Sequence, residues 1–246
     1  MKQRLFSKDF TLVVIGQVIS LFGNAIIRFA LPLYLLNATG SSALYGTVTA
    51  CAFIPAVLLS PIGGIIADRV NKRNIMVILD FFTAVVIIVF SLLMDGANLI
   101  LLLTVTLMLL YGIAGAYQPS VQASIPALTD QDSYMAANSI INTISSFASL
   151  AGPVLGGVLY SAYGLKPILW VCMVCFIMSA VMEIFIQIPF RKQALDGGIL
   201  KTAGADFAES VRFIRKEKPA IGKGVLIICG INLFLAAMII VALPYL

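Results

Sequence analysis

The sequence predicts an all-α integral membrane protein, and three observations predict it. Hydrophobic residues make up 61% of the 246-residue chain and charged residues only 11%, against about 25% charged in an average soluble domain. Apolar runs of more than about 18 residues, each long enough to cross a bilayer core as a helix, recur along the chain. The cations are also unevenly placed. With the amino terminus in the cytoplasm, fourteen of the 16 Lys and Arg fall inside, from Lys2, Arg4 and Lys8 through Arg69, Lys72 and Arg73 to Arg191–Lys223; only Lys166 falls outside, and Arg28 lies within a span. That bias sets an orientation with a cytoplasmic amino terminus, and it accounts for the net charge of +5 without any nucleic-acid partner.

The expected spans are 11–36, 43–67, 74–94, 98–118, 138–160, 166–188 and 224–246. The first follows a basic start but is too long for a cleavable leader, so it acts as its own insertion signal. It carries Gln17, Ser20, Asn24 and Arg28 at spacings of three, four and four, one stripe along a helix that should face a cavity or another helix. Arg28 lies roughly 27 Å along that helix at about 1.5 Å per residue. There it either recognises an anionic group or a protonation change, or it snorkels to the outer headgroups. Span two ends on Gly63 and Gly64, small enough for close helix approach. Span three carries Asp80 and span six Glu183, both near the cytoplasmic end. Each is a candidate proton site, with local ion pairing or interfacial solvation as the alternative. Tyr111, Tyr117 and Gln118 lie along span four.

Span five carries Asn138, Asn142, Ser145, Ser146 and Ser149 at helical spacing, a stripe that serves either gating or plain interhelical hydrogen bonding. In span six, Cys172 and Cys175 have a redox or metal spacing, yet they sit in an apolar helix of a chain with no His. They read as small packing residues, and no metal or cofactor is expected. Segment 189–223 is a polar linker. Within it, 206–218 has Phe207, Val211 and Ile214 opposite Arg212, Arg215 and Lys216, with Asp206 as cap and Pro219 as stop. This is either a helix lying on anionic lipid or a solvated connection.

Residues 63–73, GGIIADRVNKR, resemble the loop between the second and third helices of major facilitator transporters. The matching positions are Gly64, Asp68, Arg69, Lys72 and Arg73, and Asn71 stands where the family usually has Gly. Residues 151–157, AGPVLGG, resemble the antiporter motif of drug-efflux members through Gly152, Pro153, Gly156 and Gly157. Pro153 would bend the helix, and the glycines would open a groove for a helix of the other half. Residues 119–138 resemble the linker after span four in the branch with macrolide-efflux proteins and the enterobactin exporter, a branch that Asp80 also fits. Many proton-coupled exporters have an Arg four residues before a Gly in span four; here Met108 stands there, which puts that coupling route in doubt.

The resemblance implies a six-helix amino-terminal bundle built as a three-plus-three inverted repeat, over 1–188. A cytoplasmic inter-half linker, 189–223, and the first helix of a second bundle, 224–246, would follow. Residues 21–32 and 233–244 share L-F-x-x-A-x-I-x-x-A-L-P, the parallel repeat expected between two such halves. The chain therefore reads as one half plus a seventh helix, with about five further spans and the carboxy-terminal half missing. The resemblance also implies that Asp68 steadies a gate against a helix end of the other half, while the basic residues bind lipid headgroups. It places Asn24, Arg28 and Tyr111 in the substrate cavity. The expected activity is export of a small drug-like or siderophore-like molecule across the plasma membrane by alternating access, coupled to protons. An uptake transporter of the same fold and an inactive half-transporter are the alternatives. No nucleotide-binding loop suggests ATP use, and no clustered nucleophile and base suggests an enzyme.

Overall fold

The computed structural model describes residues 7–96, 98–188 and 199–242, except the side chains of 68, 199–203, 206, 207 and 236–242. Eight helices follow in order: α1 Lys8–Thr39, α2 Ser42–Arg69, α3 Lys72–Leu93, α4 Leu99–Leu128, α5 Gln131–Tyr163, α6 Leu165–Ile184, α7 Ile199–Lys216 and α8 Pro219–Ala242. The first six are each long and apolar enough to cross a membrane. Their ends are written in the sequence. Ser7, Ser41, Asn71 and Asn98 each accept a backbone N–H of the first turn of α1 to α4, the preferred capping chemistry. Gly40 and Gly164 close α1 and α5 at φ of 64° and 74°, a left-handed backbone that favours glycine.

Residues 1–194 form one compact unit and 195–246 another. In the first, α1 packs on α5 as α4 packs on α2, and α1 packs on α6 as α4 packs on α3, while α3 pairs with α6. Exchanging α1 with α4, α2 with α5 and α3 with α6 leaves this set of contacts unchanged. That is the signature of a three-plus-three repeat, and an odd number of spans per repeat inverts one copy in the membrane. Close approach uses small residues reciprocally. A Cβ on Gly63 of α2 would stand 2.5 Å from Ala116 Cα of α4, and one on Gly115 of α4 would stand 2.7 Å from the Ala56 carbonyl of α2.

The bundle ends are distinct. At one, Asp9 accepts the Gln187 N–H at 2.9 Å, and the Arg73 guanidinium donates to the Ile184 carbonyl. At the other, Asn37 donates to Tyr160 at 3.3 Å, and Lys166 pairs with Asp95 at 2.8 Å. That pair is exposed and contributes little to stability. Lys8, Arg69, Lys72 and Arg73 thus share one end and Lys166 takes the other.

Two sequence expectations are corrected. The segment 119–138 is not a linker: α4 continues through Pro119 and Pro126 to Leu128, and α5 begins at Gln131. Each proline removes one backbone bond and its ring crowds the carbonyl four residues back, yet the helix continues past both. The break comes at Thr129, whose backbone and hydroxyl both bond the Ile125 carbonyl. In the second unit, α7 starts at Ile199, so Asp206 lies inside the helix and does not cap it. Pro219 opens α8, bent 105° from the end of α7, as proline suits a first helical position. Phe207 and most of 233–244 lie outside the described side chains.

Candidate functional site

Along α1, α3, α4 and α6 the buried residues change character in step. One apolar cluster holds Phe10, Met76, Val121, Ile125 and Ile186, and a second holds Ile27, Ile87, Leu110 and Phe176. Between them lies a polar layer of Gln17, Ser20, Asp80, Ser179 and Glu183, each at most 2% exposed. Tyr117, at the border of the first cluster, links this layer together. Gln17 Nε2 donates to the Tyr117 hydroxyl at 2.8 Å, and that hydroxyl donates to Glu183 Oε1 at 2.6 Å. Ser20 donates to Asp80 Oδ1 at 3.0 Å, and Ser179 donates to the Gly16 carbonyl at 3.1 Å.

Asp80 and Glu183 were expected near an interface, solvated or in local ion pairs. Both are buried instead, and neither has an ion pair among the described residues. Glu183 is buried in the last turn of α6 because the following residues fold back, with Ile186 and Ile188 packed beside Phe10. Gln17 Oε1, Asp80 Oδ2 and Glu183 Oε2 are buried with no hydrogen-bond partner. Buried polar groups are usually paired, and two acids lacking a cation mark a costly arrangement of the kind found at working sites.

A second constellation lies eleven residues further along α1. Arg28 Nη2 donates to the Leu110 carbonyl at 2.9 Å, and its guanidinium carbon lies 4.3 Å from the Tyr111 ring centroid. Tyr111 meets Phe53 of α2 edge to face, with centroids 4.8 Å apart. Arg28 is tied inward to α4, which corrects the snorkelling alternative: its Nε is buried and has no partner. Asn24 does not join Arg28 and Tyr111, because its amide donates to the Ser20 carbonyl one turn back, at 3.1 Å. The α1 stripe is therefore divided, Gln17 and Ser20 going to the acids and Arg28 to α4.

The two motifs occupy definite places. Gly63 is the close-contact glycine of its pair, since a Cβ on Gly64 would meet Pro119 Cβ only at 4.0 Å. The backbone of Asp68 ends α2, and its side chain lies outside the described residues. Asn71, where the family pattern has Gly, caps α3 by accepting the Arg73 N–H at 3.1 Å. Lys72 opens α3, and Arg73 covers a carbonyl at the end of α6. Gly152, Gly156 and Gly157, read as opening a groove for another half, have close neighbours within this bundle. A Cβ on Gly152 would overlap Ala25 of α1, one on Gly156 would stand 3.1 Å from the Ile26 carbonyl, and one on Gly157 would stand 3.4 Å from the Phe29 ring. These glycines seat α5 on α1 of the same bundle, which spacing alone did not reveal. Pro153 lies within α5, and Ser145 and Ser149 of the α5 stripe bond their own helix.

Tyr117 and Ser179 are the residues whose place sequence reasoning missed. Tyr117 carried one usable signal: a phenol in an apolar helix usually finds a partner for its hydroxyl.

The sequence model of the family described as Major Facilitator Superfamily matches residues 13–246. Macrolide efflux protein A of Streptococcus pyogenes is 23% identical over 207 residues, covering 82% of this chain and 50% of that protein. Multidrug resistance protein MdtG of Enterobacter lignolyticus is 26% identical over 198 residues, covering 77% of this chain and 46% of that protein. The chain thus spans about half the length of the curated relatives it matches. A bacterial homologue of the iron transporter ferroportin, crystallised in an outward-facing state, superposes with a TM-score of 0.60 at 21% identity, over 80% of this chain and 52% of that one. That likeness establishes the fold.

Proposed function

The chain belongs to the major facilitator superfamily, a family of membrane transporters and not of enzymes, and on that premise we propose that it serves proton-coupled export of small amphipathic molecules by alternating access. The observation that carries the coupling is the buried layer holding Asp80 and Glu183. Among the described residues, the groups facing these acids are Gln17 and Ser20 from α1, Tyr117 from α4 and Ser179 from α6, and none is a cation. Burying two negative charges without a cation costs several kcal/mol per ion. A proton held here removes one of those charges, and Tyr117 joins Glu183 to Gln17 so that the loss or gain of that proton is felt on α1, α4 and α6 together. A transport cycle needs such a link between a bound ion and helix packing.

Export, and not uptake, is supported by the resemblance of Gly152–Gly157 to the antiporter motif and by the similarity to a macrolide efflux protein and a multidrug resistance protein. In this reading the end bearing Lys8, Arg69, Lys72 and Arg73 faces the cytoplasm, and Asp68 steadies a gate against a second bundle. The absence of an Arg at Met108 is consistent with coupling through the α3 and α6 acids in place of the α4 route.

The test is accumulation of radiolabelled erythromycin in cells expressing the protein from its native gene. Expression should lower accumulation, and collapse of the proton gradient should abolish the difference. Asp80→Asn and Glu183→Gln should each raise accumulation to the level of cells without the gene. Export that survives both substitutions and the loss of the gradient would remove the proposal. Everted vesicles that fail to concentrate erythromycin on energisation would instead overturn the direction.

A further inference from the structure

Arg28 has a chemistry that export of neutral or cationic compounds does not call for. Among the described residues only one of its donors has a hydrogen-bond partner, the Leu110 carbonyl at 2.9 Å, and no carboxylate pairs with it. Its Nε is buried without a partner. Asp80 and Glu183 do not neutralise it. They sit beside Ser20 and Gln17, and eleven residues of α1 separate Gln17 from Arg28, about 16 Å of helix rise. The guanidinium rests 4.3 Å from the Tyr111 ring centroid, and that ring is braced by Phe53. Thr49 lies on the same face of α2 as Phe53 by its i, i+4 spacing, and its hydroxyl too is buried without a partner. An unneutralised guanidinium, two unsatisfied polar groups and a pair of aromatic rings thus come from α1, α2 and α4.

A lone cation in a bundle is expensive unless something of opposite charge visits it. A planar guanidinium also presents paired donors that match a carboxylate, sulfonate or phosphate better than a point charge does. We infer that Arg28, Tyr111 and Phe53 recognise an anionic head group attached to an aromatic or apolar body, so that the transported class extends to anionic amphiphiles. The inference rests on the transport reading above and names the substrate class for it. The guanidinium takes the anion, the edge-to-face rings take the flat body, and the Thr49 hydroxyl lies on the face that can supply a further hydrogen bond.

Two probes that differ only by a sulfonate test this: 1-anilinonaphthalene-8-sulfonate and N-phenyl-1-naphthylamine. Binding is measured by fluorescence to the purified protein in phosphatidylcholine nanodiscs, with empty discs subtracted and no pH gradient. The wild type should bind the sulfonate at least tenfold more tightly than the uncharged probe. Arg28→Gln should weaken the sulfonate at least tenfold and leave the uncharged probe within twofold. Arg28→Lys keeps the charge but loses the fork; it should weaken the sulfonate by a smaller factor, three- to tenfold, and it serves as the test if the glutamine variant does not fold. No preference for the sulfonate in the wild type, an unchanged sulfonate affinity in the variants, or equal weakening of both probes overturns the inference. Because no gradient is applied, failure of coupling at Asp80 and Glu183 leaves this result intact, and failure here leaves that coupling intact.

Discussion

Replacing Tyr117 with Phe removes one oxygen and unties two helix contacts at once. The hydroxyl accepts from Gln17 at 2.8 Å and donates to Glu183 at 2.6 Å. Interhelical polar contacts in membrane proteins are worth about 0.6 kcal/mol on average and about 1.7 kcal/mol at most. Both contacts here belong at the upper end, because Gln17 Oε1 and Glu183 Oε2 are already without partners and no water-exposed route offers a substitute. The two together give a loss of about 2–3 kcal/mol. The assay is reversible unfolding of the purified protein by titration with sodium dodecyl sulfate in mixed micelles. A double-mutant cycle with Gln17→Leu adds a sharper test. Leu removes the polar group that Phe would strand, so the double variant should be about 1 kcal/mol more stable than the two single losses predict. A loss below about 0.5 kcal/mol for Tyr117→Phe, or strict additivity in the cycle, would refute the reading of Tyr117 as the link through the buried layer.

Three further predictions concern packing and capping. Gly63→Ala should destabilise the bundle by about 1–3 kcal/mol, because the added methyl meets Ala116, whereas Gly64→Ala should be nearly neutral; both are read in the same unfolding titration, and equal effects would contradict the geometry. Gly152→Val should destabilise by a similar amount, and Ala25→Gly should restore part of the loss, since the overlap is with Ala25; no rescue would mean that α5 meets α1 differently. Asn71→Ala should cost about 1 kcal/mol by removing the cap on α3, while Asn71→Gly should cost only a few tenths; equal costs in unfolding would show that the cap does not operate.

Hydropathy made the six spans legible, and the inverted repeat was legible through the family resemblance. What the sequence did not reveal depends on how each helix is turned about its axis. Gln17, Ser20, Asn24 and Arg28 form one stripe by spacing, yet Gln17 and Arg28 bond α4, Ser20 bonds α3 and Asn24 bonds its own helix. Arg28 and Tyr111 were both visible as cavity candidates, but the ring contact between them requires a particular pairing of α1 with α4. Asp80 and Glu183 were read at the membrane boundary from residue counts. Their burial depends on how α3 and α6 are turned toward α1, where Asp80 meets Ser20 and Glu183 stands beside Gly16. The glycine motif in α5 announced close packing without its neighbour, and the neighbour is Ala25. The stretch 119–138 resembled a linker, whereas α4 runs to Leu128 and Thr129 closes it on the Ile125 carbonyl.

The central claim is that Asp80 and Glu183 bind the coupling proton. The most direct measurement is proton movement in proteoliposomes of the protein expressed from its native gene, followed with a trapped pH-sensitive dye as an erythromycin gradient is imposed. The account predicts that the gradient drives protons across the membrane in the wild type. It predicts that Asp80→Asn and Glu183→Gln abolish this movement while exchange of labelled for unlabelled erythromycin persists. Proton movement of wild-type size in both variants would contradict it.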